Sequence, residues 1–199
     1  MAFDVVMFGA LTVPERNVEE WLTTPIEQAT WPWLEEVGGV DVPHDTPEAL
    51  LSLLGEVACA PHELFSVTLL GGRLELQCYV GEDTFRETSQ ALALLFASAS
   101  LFGGVGELHF AGYQGIRFGE RLVVQGEQVR FGRISSDELA RLEHHRGFLA
   151  LDAKIHERFD ALVGRVSPEG PLDPRRSRWV VHPFTGRRVR VAEPSALEQ

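Results

Sequence analysis

The chain has 199 residues, 29 Asp and Glu against 18 Lys and Arg, a formal net charge of -11 and a pI near 5.1. That length fits one domain with a small appendage, and 44% hydrophobic with 24% charged residues is the composition of an ordinary soluble globular protein. A chain of this size buries a core without disulfides or metal, and its acidic balance argues against a nucleic-acid binder, which needs a basic patch.

The charge is unevenly spread. Residues 1–72 hold twelve carboxylates and one base, Arg16, whereas 73–164 hold thirteen acids and ten bases. Residues 165–199 reverse the sign, with seven arginines against four acids. Such asymmetry bears on partners and association rates and says little about fold.

In chain order, residues 3–13 read as a buried strand, with Phe3, Val5 and Met7 on one face and Val6, Phe8 and Ala10 on the other. Pro14 opens a short helix to residue 23, in which Val18, Trp21 and Leu22 share a side. Residues 24–45 are irregular. Thr46-Pro47-Glu48 is a helix start, a hydroxyl cap followed by proline at the first helical position. Phe65, Val67 and Leu69 alternate up to Gly71-Gly72, and Leu74, Leu76, Cys78 and Val80 alternate away from it. A Gly-Gly pair between two period-2 runs signals a hairpin, because both turn positions tolerate positive φ.

Asp83 is expected to cap an apolar helix over 84–102, ended by Gly103 and Gly104, and Glu107 to Tyr113 alternates as another strand. Residues 1–113 thus run strand, helix, strand, strand, helix, strand, the β-α-β-β-α-β core of ferredoxin-like folds. A second meander follows over 116–134, turning at Gln125-Gly126-Glu127. Ser135-Ser136-Asp137-Glu138 opens a helical region that Gly147 interrupts and that ends at Gly164. The expected organisation is an α+β domain over 1–164, then a Pro/Arg-rich linker and basic hairpin over 165–199.

The N-terminus lacks the basic region of a signal peptide, and the dense apolar run Ala91 to Phe102 is twelve residues. A membrane span needs about 20. Cys59 and Cys78 form no CxxC pair and read as reduced, packed thiols. A cytoplasmic protein without a membrane association is expected.

No catalytic signature stands out, so a non-enzymatic protein is expected. His144, His145 and His156 lie in the helical region near Asp152, but no HExxH or HxH accompanies them, and neither a metal nor a cofactor is expected. Gly103-Gly104-Val105-Gly106 follows a helix and lacks the GK[ST] of a phosphate loop. Alternation places Tyr79, His109 and Tyr113 on the sheet face opposite the two helices. There they either line a small-molecule site on an open face or serve as cross-strand packing.

The acidic N-terminal region is the strongest candidate. Glu19, Glu20, Trp31, Trp33, Glu35, Glu36, Asp41 and Asp45 interleave tryptophans with carboxylates. Tryptophan anchors interfaces when a polar ring excludes water around it, and carboxylates steer a basic partner. Trp31 and Trp33 are equally readable as core residues of a loop cap, and Trp21 reads as core from its helical stripe. The arginines of the tail either bind an anion or fold back on the acidic half.

A small acidic α+β chain with aromatic-acidic loops and no catalytic motif resembles, in overall character across about 1–164, bacterial immunity proteins of polymorphic or contact-dependent toxin systems. The resemblance implies a cytoplasmic protein that binds one cognate toxin domain, and its acidity would suit a basic, nuclease-type toxin. The alternative is a small-molecule-binding regulatory domain using the face of Tyr79, His109 and Tyr113.

Overall fold

The structure, a computed structural model, describes residues 4–27, 30, 31, 33, 46–57, 64–113, 118–164, 177–181 and 188–192. Its strands are β1 (Asp4–Thr12), β2 (Leu64–Leu70), β3 (Arg73–Val80), β4 (Val105–Tyr113), β5 (Gly119–Gln125), β6 (Gln128–Arg133), β7 (Ser177–Val181) and β8 (Arg188–Ala192). Its helices are α1 (Val18–Thr23), α2 (Pro47–Val57), α3 (Glu82–Ser98), α4 (Ser136–Leu142) and α5 (Arg146–Gly164). Short 3-10 turns precede α1 and follow α3.

The fold is α+β. Six strands form one sheet in the order β2-β3-β1-β4-β5-β6, and every neighbouring pair is antiparallel. Period-2 alternation divides the sheet into two faces. Val5, Met7, Leu11, Leu74, Leu76, Leu108, Phe110, Leu122 and Val124 point to the first face, join the hydrophobic core and are almost fully buried. α3 lies on this face against β1, β4 and β5, with α2 packed on α3 and α1 on α2. Every residue from Ala91 to Ala97 is 0% exposed, because α3 is enclosed between the sheet and the other two helices. That is why the stretch Ala91–Ala97 is apolar on all sides, while the first half of α3 keeps exposed Arg86 and Glu87.

Local chemistry accounts for most boundaries. Gly71 and Gly72 turn the β2–β3 hairpin at φ of 55° and 77°, a region that side chains strain to enter. Thr46 Oγ1 accepts a hydrogen bond from the Ala49 N–H at 3.2 Å at the start of α2. Ser135 and Glu138 form a complete capping box on α4. α3 departs from expectation: it starts at Glu82 with Gly81 as its N-cap, so Asp83 lies inside the first turn.

The chain divides into two compact units, 1–152 and 153–199. The division falls within α5, twelve residues before the boundary expected at 164. In the second unit, β7 and β8 pair antiparallel as a hairpin, in line with the sequence reading of 178–191. Among the described residues no helix is long and apolar enough to cross a membrane.

Candidate functional site

The second sheet face carries different chemistry. β1 contributes Val6 and Phe8, β3 contributes Gln77 and Tyr79, and β4 contributes Glu107, His109, Ala111 and Tyr113, all set on one side by the strand register. Tyr79, His109 and Tyr113 are therefore on a common face, as alternation predicted. The face is not open at these positions, however: the three residues are 2%, 6% and 5% exposed. The 143–145 turn and the first turns of α5 cover them. Phe8 stacks on His109 and His145 with ring centroids 5.2 and 5.3 Å apart, and meets Phe148 edge-on. Gly147 is needed for this approach, since a Cβ there would lie 2.7 Å from the Phe8 ring.

Both tyrosines are tied to carboxylates. Tyr79 donates to Asp4 Oδ2 at 2.9 Å and Tyr113 donates to Asp152 Oδ1 at 2.5 Å. Burial, with the Asp4 carboxylate adding to it, pushes the Tyr79 phenol above its ordinary value. Asp152 thus anchors α5 to β4. Among the described residues no three His, Cys, Asp or Glu side chains gather as a metal site.

His109 is the anomaly of this face. Its Nε2 lies 3.4 Å from Glu107 Oε1, an ion-pair distance, yet neither ring nitrogen has a hydrogen-bond partner. The adjoining imidazole holds the Glu107 carboxyl below its usual range against the opposing effect of partial burial, and Arg121 and His145 add to it. Leaving a buried polar group unpaired costs about 1–3 kcal/mol, so packing alone is a poor reason to keep a histidine here.

The cover does not extend across the sheet. Beyond β4, Arg121 pairs with Gly132, Val123 with Arg130, and Gln125 with Gln128, continuing the second face onto the β5–β6 hairpin. These residues, with Arg133 and Ile134, line a pocket of about 350 Å³. Sequence reading passed over this pocket, although the turn at Gly126 already placed Arg121 and Arg130 on one side of the hairpin.

The acidic N-terminal candidates separate in the structure. Glu19 and Glu20 are exposed on α1. Trp31 is 6% exposed and belongs to the hydrophobic core, which removes it as an interface anchor. Trp33 is partly buried and stacks on Phe131 at 5.4 Å, a packing role as well. Trp21 is fully buried, and its Nε1–H donates to Ser98 Oγ at 2.9 Å. Glu35, Glu36, Asp41 and Asp45 lie outside the described residues. What α1 and α2 do present is a set of exposed carboxylates: Glu15 just before α1, Glu19 and Glu20 on it, Glu27 after it and Glu48 on α2. None of the ion pairs among the described residues involves them.

No family model and no curated protein matches the chain.

Proposed function

We propose that this protein acts by binding and not by catalysis, and that its partner is a basic protein held on the acidic helical layer. The observation that carries this reading is the group Glu15, Glu19, Glu20, Glu27 and Glu48, exposed and in none of the ion pairs among the described residues, in a stretch of sequence where Arg16 is the only base up to Gly72. Uncompensated charge of one sign raises the encounter rate with an oppositely charged surface and disfavours wrong partners. With Trp31 and Trp33 turned inward, the interface is led by charge more than by aromatic anchors. An immunity protein acting in the bacterial cytoplasm on a basic toxin domain is the biological role this surface suits. The strand order β2-β3-β1-β4, with helices between β1 and β2 and between β3 and β4, supports the ferredoxin-like reading of the core, extended at β4 by the β5–β6 hairpin.

The test is co-expression and affinity capture with the product of the adjacent gene, repeated with Glu19→Lys/Glu20→Lys. Capture that weakens with salt and with charge reversal supports the reading. A neighbour that is not a basic toxin-like protein, together with no captured partner, removes it.

A further inference from the structure

The pocket on β5–β6 concentrates positive charge in a protein with a net charge of -11. Three of its lining residues are Arg121, Arg130 and Arg133, and two more, Gln125 and Gln128, carry carboxamides. The carboxylates nearby do little to neutralise them. Glu138 reaches Arg121 at 3.6 Å, with the two side chains 44% and 39% exposed, and a solvated pair at that distance contributes little. Glu107, which neighbours Val123 across the sheet, is engaged by His109. Arg130 hydrogen-bonds to Gln128 Oε1 at 3.0 Å, and Arg133 has no ion pair among the described residues. Arg121 and Arg130 share one face with only the solvated Glu138 paired to Arg121, and guanidinium groups so placed attract an anion.

The shape adds to the charge. A volume of about 350 Å³ lies at the lower end of the range of small-molecule sites, about 300–1,000 Å³. Gly132 leaves the pocket without a side chain opposite Arg121, and a Cβ placed there would meet no heavy atom within 4 Å. Val123 and Ile134 supply apolar surface beside the arginines. On the second face the guanidiniums of Arg121 and Arg130 and the carboxamides of Gln125 and Gln128 offer more donors than the two oxygens of one carboxylate can use. They suit a phosphoryl group, whose terminal oxygens accept the forked N–H pairs of arginine.

We propose that this pocket is a binding site for a small phosphoryl-bearing ligand, with Arg121 and Arg130 on the phosphoryl oxygens and Val123 and Ile134 against the organic remainder. The site is separate from the acidic helical layer, so it stands or falls independently of the protein-partner reading.

The experiment is isothermal titration of the full chain with pyrophosphate, and separately with adenosine monophosphate, at constant ionic strength. Saturable one-to-one binding is expected, weakened at least tenfold in Arg121→Gln/Arg130→Gln and lost in Gly132→Leu. Because Gly132 faces open space, the leucine variant fills the pocket while the sheet remains intact. Glu19→Lys/Glu20→Lys is expected to bind both probes as the parent does. Absence of saturable heat with either probe overturns the proposal. So does binding that is equal in the parent and the pocket variants, which would mark a general salt effect. A single-stranded RNA 12-mer that displaces pyrophosphate at lower concentration than adenosine monophosphate overturns the small-ligand assignment in favour of nucleic acid.

Discussion

The two faces of the six-stranded sheet are built from the same strands yet obey different rules. The first face meets α3 in a dry layer of Val, Leu, Met and Phe, and its buried tryptophan, Trp21, has its polar atom satisfied by Ser98. The second is aromatic and polar, sealed over β1, β3 and β4 by the start of α5 and left open over β5 and β6. It keeps a buried histidine whose ring nitrogens make no well-formed hydrogen bond, and arginines of which only Arg121 has an ion pair, a solvated one with Glu138. Folding free energy favours apolar packing and satisfied polar groups. The first face follows that preference except at Thr88 of α3, whose buried hydroxyl has no hydrogen-bond partner. The second retains groups that stability does not ask for.

Substitutions that act on one face and spare the other break or sharpen this contrast. The largest effect is expected from Trp21→Ala, which opens a cavity beneath α1 and leaves Ser98 without the indole N–H. It should cost about 3–5 kcal/mol in urea unfolding. A loss under 1 kcal/mol would mean that α1 is not part of the cooperative core. Next comes Tyr113→Phe, which removes the bond to the Asp152 carboxylate. Hydrogen bonds to charged groups contribute about 1.5–3 kcal/mol. Amide exchange should quicken in the first turns of α5 and stay unchanged in α3; uniform acceleration would show that the α5 cover unfolds only with the whole domain.

A smaller effect is expected from pH. The folded-state pKa of Glu107 lies below its ordinary 4.5, so the charged carboxylate adds stability that is present above that value and is lost as pH falls through the folded value. Glu107→Gln should therefore lower stability at neutral pH and leave it little changed below the folded pKa, which flattens the acid limb of the unfolding curve. A parallel shift of the whole curve would show that Glu107 acts through packing.

Much of this architecture was legible in the chain. The Gly71-Gly72 turn, the Ser135–Glu138 capping box and the apolar run Ala91–Ala97 are local signals with local causes, and they placed a hairpin, a helix start and a buried helix. Strand alternation correctly put Tyr79, His109 and Tyr113 on one side. Nothing in that alternation could show that residues 145–152 return to cover them, because a cover depends on packing between distant segments. Trp31 misled for a related reason. An indole flanked by carboxylates looks the same in sequence whether it turns inward or outward, and 24–45 has no periodicity to give it a direction. The arginine pocket was readable in principle, since the turn at Gly126 fixes which residues of the hairpin share a face. It was missed because the attention drawn by charge went to the acidic half.

The contrast between the faces rests most directly on His109. Replacing it with leucine removes a buried polar group that makes no hydrogen bond and keeps a similar apolar volume between Phe8 and the α5 cover. In the Glu107→Gln background, where no carboxylate depends on the imidazole, chemical unfolding of His109→Leu should show a midpoint equal to or above that of Glu107→Gln alone, a gain of up to about 1–3 kcal/mol. A loss of more than about 2 kcal/mol, of the size expected for a core residue, would mean that His109 is part of the packing and would contradict the contrast between the two faces.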